Sequence, residues 1–449
     1  MVGVGQPPRS STRKGTAVKK SYQKGAGSAS GEVIVPDEVT ISLTEIAASA
    51  KEGLLALAVG TGLKVMEAMF AEDVDRLCGP KGKHNEERSG YRHGTESGAV
   101  TLGGRRLPIQ RPRVRASDGS EELSVPSYAL FSSTEVLGRL AMERMLAGLS
   151  TRRYGVGLEP VGEKITAAAS GTSRSAVSRR FTQATETALV DLLARPLDDL
   201  DLVAIMIDGV HFAEHCCVVA MGIDISGVKH PLALLEGATE NATLARELLV
   251  GLRERGLDAT KPILVVIDGA KALARAVLDV FNHPVIQRCQ QHKIGNVKDR
   301  LPEKLRGVVE RRMRAAYRAD SAVEAEGRLL ALARELEKTH PGAAASLREG
   351  LEETLTVIRL GLPPTLQRTM RSTNPVESLL SICREHAGNV KRWQNGQMAL
   401  RWCAAGMLEA EKQFRRVNGH LHLPALRAAL EREIRAEEIK KECYNKDVA

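Results

Sequence analysis

Six consecutive apolar residues, Leu202 to Ile207, stand between Asp201 and the pair Asp208-Gly209. A run this short, unbroken and Ile/Val-bearing predicts a strand covered on both faces. A second such run, Ile263 to Ile267, is followed by Asp268-Gly269. Each strand is thus expected to end in a carboxylate, and two such ends can share one edge of a sheet. Between them, Cys216 to Ile223 predicts another strand, and Val228 to Leu235 a shorter one that Pro231 demotes to an edge. Short connections favour antiparallel neighbours here. A helix over 240–255, the strand 263–267, a helix over 270–281 and a last strand over 285–289 complete a mixed α/β sheet.

Outside this region the period is helical. Thr40 to Cys78 predicts a helix stopped by Gly79-Pro80, and Val136 to Leu149 an amphipathic one. Gly103-Gly104 reads as a hairpin turn between short strands. From Ile294 to Leu366 no strand pattern survives, which predicts a helical insertion; 374–414 and the tail after Pro424 are helical again. Ile165 to Ala169, the break Ser170-Gly171-Thr172, and a helix opening at Ser173 have the outline of a helix-turn-helix. Arg174, Ser175, Ser178, Arg179 and Arg180 then crowd the first turns of its second helix, where a major-groove reader needs them.

At 449 residues the chain calls for two to four structural units. A formal charge of +9 favours a polyanionic partner, and an aromatic share of only 3% argues for duplex over single-stranded nucleic acid. Residues 1 to 30 hold six Lys and Arg and no acid, as a disordered basic arm would. Arg105, Arg106, Arg111, Arg113 and Arg115 on the ribbon after Gly103-Gly104 are either a phosphate track or a solvated polar face. Seven irregularly spaced cysteines point to a reducing compartment and no disulfide framework. No run approaches the ~18 apolar residues of a membrane span, and no signal-peptide core is visible. The expected location is the cytoplasm, on the nucleoid when bound to DNA. Gly157 to Lys164 imitates a phosphate loop but lacks its Gly-Lys-Ser/Thr ending.

Two carboxylates a few ångströms apart raise each other's pKa unless a cation neutralises them. Mg²⁺ suits the role, since it takes oxygen ligands and works in pairs in phosphoryl displacement. A third carboxylate would complete the site, and Glu377 in RSTNPVESLLSICREH is the candidate. The same motif also reads as a capping box, with Asn374 as N-cap, Pro375 first and Glu377 third. Each Asp-Gly is likewise ordinary turn chemistry.

These residues resemble the Mutator-type transposases of bacterial insertion sequences, which are DDE transposases with a ribonuclease H-like core. The resemblance spans roughly Ser89 to Gly419 and is carried by SGYRHG, GLSTRRYGVGLEPV, SRSAVSRRFTQATE, RPLDDLDLVAIMIDGVHF, ILVVIDGAKAL, VIQRCQQHKIGNV and STNPVESLLS; the arm of residues 1–35 lies outside the shared pattern. It implies a ribonuclease H-like mixed sheet interrupted by an all-helical insertion, behind mostly helical DNA-binding regions. It implies catalytic, metal-holding roles for Asp208, Asp268 and Glu377, with two Mg²⁺ ions that Mn²⁺ can replace. The reaction implied is cleavage and strand transfer on the element's terminal inverted repeats and target DNA, by a homodimer or larger assembly, without a membrane. The implied division is a basic arm 1–36, a helical region and ribbon 37–118, a helix-turn-helix region 119–196, core 197–292, insertion 293–372, core 373–415 and tail 416–449. The family's Cys-x-x-His matches Cys289 and His292, read as accessory to the site, His292 toward a phosphate or base and Cys289 packing the strand end. The pair Cys383 and His386 invites a four-ligand zinc site with them, a reading set aside because i, i+3 spacing is common on helices. Competing readings are a domesticated DNA-binding protein whose core no longer cuts, and a ribonuclease H-like nuclease or resolvase.

Overall fold

The computed structural model describes residues 53–83, 85–159, 161–237 and 242–448. The expected basic arm and the first part of the helix expected from Thr40 lie outside them. Two compact units are present: Gly62–Glu96 with Arg111–Leu130, and residues 53–61 with Ser97–Gln110 and all from Phe131 onward.

The first described helix, α1 (Leu54–Cys78), is long and apolar enough by length and composition to cross a membrane. That corrects the expectation that no run approaches such a span. The sequence hides it because Gly, Thr and charged residues interrupt the apolar positions without lowering their average much. Met66, Met69, Phe70 and Val74 are buried at helical spacing along it. Strands β1 (Gly90–Leu102), β2 (Arg105–Ala116) and β3 (Glu122–Leu123) form a three-stranded sheet in that order. Gly103 and Gly104 turn β1 into β2 with φ of 59° and 73°, the left-handed pair that a two-residue hairpin needs and glycine supplies without strain. Helices α2 (Pro126–Ser132), α3 (Glu135–Leu146), α4 (Glu163–Ala168) and α5 (Arg174–Ala194) follow.

The central sheet has five strands in the order β6-β5-β4-β7-β8, with β4 (Leu202–Phe212), β5 (His215–Asp224), β6 (Lys229–Gly237), β7 (Ile263–Ile267) and β8 (Pro284–Arg288). β4, β5 and β6 pair antiparallel, while β7 runs parallel to both β4 and β8. The mixed sheet and the edge position of the Pro231 strand match expectation. Helices α6 (Ala242–Glu254) and α7 (Lys271–Val280) cover one face, where Ile205, Ile207, Val265 and Ile267 are buried. Met206, Val219 and Val266 are buried on the other face, as alternation along a strand requires.

After β8 the described elements are all helical: α8 (Gln290–Lys298), α9 (Glu303–Ala316), α10 (Ala322–Glu337), α11 (Pro341–Arg348), α12 (Leu351–Thr354), α13 (Thr356–Arg359), α14 (Pro364–Met370), α15 (Asn374–His386), α16 (Gly396–Glu411) and α17 (Leu423–Val448), with one 3₁₀ turn at His420–His422. α15 and α16 lie on the Met206 face, and α16 packs against α5. Phe181 of α5 packs on Trp402 of α16 with ring centroids 4.6 Å apart.

Candidate active site

β4 does not stop at Ile207 as its apolar run suggests. It continues to Phe212, because β5 pairs with it through Asp208↔Val219 to Phe212↔His215. Its parallel partner gives out first: the β4–β7 register runs from Ala204↔Leu264 to Met206↔Val266, and β7 ends at Ile267. Asp208 therefore sits where β4 outruns its neighbour. Two residues past the last register pair on each chain, Asp268 directly after β7 comes to the same edge as Asp208, where neighbouring strands lie ~4.8 Å apart. Both carboxylates share the parity of Met206 and Val266, which is the face covered by α15. Glu377 belongs to the first turn of α15.

Each aspartate is fixed locally. Asp208 Oδ1 accepts from Gly209 N at 2.9 Å, and Asp268 Oδ1 from Ala270 N at 2.8 Å. The second bond is an Asx-type turn. Gly269 makes that turn at φ 104°, and a Cβ there would lie 1.9 Å from Arg288 Nε, so only glycine fits. Burial pushes the Asp208 carboxyl up to about 6; Glu377 and Asp268 add to the shift, while the Gly209 N–H and His292 oppose it. One acid thus senses both of the others.

The cap at Glu377 differs from expectation. The N-cap is Thr373, one residue before Asn374, and its side chain caps no backbone N–H. Instead Thr373 Oγ1 donates to Glu377 Oε1 at 2.5 Å. With the helix starting one residue earlier, Glu377 falls beyond the box position, and its carboxylate turns toward His292, whose Nε2 is 3.9 Å away. Thr373 is fully buried and also lies 3.4 Å from both Cys289 Sγ and His292 Nδ1. Sequence reasoning missed this residue; its signal is the i, i+4 spacing to Glu377.

Cys289 is not the end of a strand but the N-cap residue of α8. Its N–H donates to Ile267 O at 2.7 Å, and that of Gln290 to Arg371 O at 3.0 Å. The start of α8 is thereby tied both to the strand before Asp268 and to the segment before α15. Hydrogen bonding to Cys289 pushes His292 up to about 9 against burial, with Asp208 and Glu377 adding to the rise. Burial would raise the Cys289 thiol, but its bonds with His292 and Thr373 take it below the ordinary value. Cys289, His292 and Glu377 offer ligand atoms within 4.8 Å of one another. The second Cys-x-x-His is engaged elsewhere, Cys383 Sγ with Cys403 O and His386 Nδ1 with Leu146 O.

The residues read as DNA-binding divide in two. Arg174, Ser175, Ser178 and Arg179 are exposed on the first turns of α5, behind the N-cap Ser173 that accepts from Ala176 N. The helix before them, α4, has only six residues, and the break is pinned by reciprocal backbone bonds between Ser170 and Arg106. The others spend their guanidinium groups on the protein. Arg180 donates to Gly171 O, Arg106 to Ala99 O, and Arg105 to Gly103 O and Glu159 O. Arg111 and Arg113 pair with Glu96 and Glu122.

Residues 37–417 match the family model described as Transposase, Mutator family. The transposase for insertion sequence element ISRM5 of Rhizobium meliloti is 26% identical over 370 residues, which cover 81% of this chain and 90% of that protein. The transposase for insertion sequence element IS6120 of Mycolicibacterium smegmatis is 28% identical over 245 residues, covering 53% and 73%. The transposase for insertion sequence element IS256 in transposon Tn4001 of Staphylococcus aureus is 24% identical over 344 residues, covering 74% and 84%. With a match running through β4, β7, α8 and α15 alike, the chain belongs to the Mutator family of transposases.

Proposed function

We propose that the chain is a DDE transposase with a ribonuclease H-like core, which binds the terminal inverted repeats of its insertion sequence and cuts and joins DNA as a dimer or larger assembly. The observation that carries this reading is the convergence of strand register, side-chain parity and electrostatic coupling on Asp208, Asp268 and Glu377. Three carboxylates, one of them an acid whose charge is disfavoured by burial and by its neighbours, are a donor set that a hard divalent cation relieves, with Cys289 and His292 beside Glu377. Asp208, Asp268 and Glu377 would hold two Mg²⁺ ions, or Mn²⁺ in their place, and bound metal supplies charge stabilisation for the attacking and leaving oxygens of a phosphodiester.

Asp208 and Asp268 are set by backbone bonds, and Glu377 by the Thr373 hydroxyl, so the acidic groups are oriented before DNA arrives. His292, cationic at neutral pH and 40% exposed, faces the same space and suits a phosphate oxygen beside the reacting one. In the first step water attacks phosphorus and the bond to the 3′-oxygen breaks, leaving a 3′-hydroxyl at the element's end. In the second step that hydroxyl attacks a target phosphodiester, forming one P–O bond as another breaks. No side chain becomes covalently attached.

The test is cleavage and joining of a duplex carrying the element's end, with Asp208→Asn, Asp268→Asn and Glu377→Gln. Each is expected to lose both steps by at least ~10³-fold while binding DNA as the unaltered chain does. Strand transfer retained by any of the three would overturn the assignment.

A further inference from the structure

Among the arginines of the second unit, one group is conspicuously unneutralised. Arg314 on α9, Arg318 in the turn after it, Arg368 on α14 and Arg371 at its C-cap are close enough to depress Arg371, which burial lowers first and Arg318, Arg368 and Arg314 lower further. Arg314 is held by Glu310 and by Gln291 Oε1 at 3.1 Å. Glu310 also takes Lys298, so this acid is already shared between two cations. The guanidinium groups of Arg318, Arg368 and Arg371 make no hydrogen bond or ion pair with the described residues. Gln290, Gln291, Arg314, Tyr317, Arg318 and Arg371 line one shallow cleft of about 10 Å³, and Arg368, exposed one turn before Arg371, stands outside its lining on the open surface.

Like charges gathered without counter-charge cost stability, and a half-buried one costs most. A fold that keeps three of them together gains if an anion with several charges docks there. The cleft also adjoins the catalytic candidates: Arg371 O receives the Gln290 N–H two residues before His292, and Arg371 is two residues before Thr373. Planar guanidinium groups suit phosphate oxygens, singly or in bidentate pairs.

We infer that Arg318, Arg368 and Arg371 form a clamp for the sugar-phosphate backbone of the DNA strand being cut, a few nucleotides from the scissile bond. This rests on the strand-cutting reading above, and it assigns the path of the DNA to the face between α9 and α14 in addition to the first turns of α5. Contacts of this kind position a strand and carry no sequence information.

The test uses the full chain and the pair Arg318→Gln with Arg368→Gln, both exposed residues. Arg312→Gln, which breaks an ion pair between α9 and Glu335 of α10, is the control. Affinity for duplex DNA is measured across a KCl series. The slope of log K against log salt is expected to be shallower by ~0.9 for each phosphate contact removed, about 2 for the pair, and unchanged for the control. A neutral methylphosphonate placed within a few nucleotides of the cleaved bond should weaken the unaltered chain and have little further effect on the pair. Equal slopes in the unaltered chain and the pair, or methylphosphonate effects that simply add, overturn the clamp. Failure of the unaltered chain to cut DNA at all would count against the strand-cutting reading, and the salt slopes would still decide the clamp.

Discussion

Asp208 carries its charge under protest. Its carboxyl is raised from the ordinary value of 3.8 to about 6 by burial first and by its acidic neighbours. A folded-state pKa above the unfolded one means the native state binds the proton more tightly. The associated stability is present below pH ~4 and is lost as pH rises through about 6. In metal-free protein Asp208→Asn should therefore raise stability near pH 7, by on the order of 1–3 kcal/mol, and add little at pH 4. Denaturant melts at the two pH values check this, and an equal effect at both would contradict it. On the proposed metal-holding role the same proton would compete with metal, so Mg²⁺ affinity measured by calorimetry should fall as pH drops below 6. Thr373 acts through Glu377: Thr373→Ser should keep the hydroxyl and the rate, and Thr373→Ala should lower cleavage by ~10–100-fold. The sequence marks Asp208 and Asp268 by the apolar runs before them and Glu377 by the helix start around it, although β4 continues past Asp208. Thr373 is harder to see, because one hydroxyl four residues before one carboxylate is a spacing that recurs along helices without any bond being made.

At the scale of elements, apolar runs announced β4, β5 and β7 and their two covered faces. Where those runs end is another matter. β4 outlasts its apolar stretch by five residues because hydrogen bonding to β5, not side-chain hydrophobicity, holds 208–212 in line. The cap of α15 was misjudged by one residue for a similar reason: Asn-Pro is a good local start, but Thr373 is held by buried neighbours that only the tertiary fold supplies. The turn after β7 offers a sharp test. Gly269→Ala would force a side chain into φ 104° and into Arg288, and should cost about 1–3 kcal/mol in a denaturant titration. A stable, fully active Gly269→Ala would show that this turn is less constrained than its geometry requires.

For the molecule as a whole, the net charge of +9 pointed to a polyanion without saying which face meets it. The basic ribbon drew attention because its arginines are close in sequence, yet Arg111 and Arg113 are matched by Glu96 and Glu122. Arg318, Arg368 and Arg371 come together only through folding, so no basic run in the sequence marks them. The helices after α8 are joined to the sheet by buried polar bonds. Gln287 Nε2 donates to Thr354 O at 3.1 Å, its Oε1 accepts from Val357 N at 2.9 Å, and Gln290 Nε2 donates to Thr354 O at 2.9 Å. Gln287→Ala leaves buried partners unpaired and should destabilise the chain by about 1–3 kcal/mol, read from the same melts; no change would mean the junction is not held there. The most direct test of the central claim is an anomalous difference map from crystals of the full chain soaked in Mn²⁺. Peaks ~2.0–2.2 Å from carboxylate oxygens of Asp208 and Asp268, with Glu377 completing the set, are the predicted result. An active enzyme whose Mn²⁺ binds elsewhere, with those carboxylates bare, would contradict it.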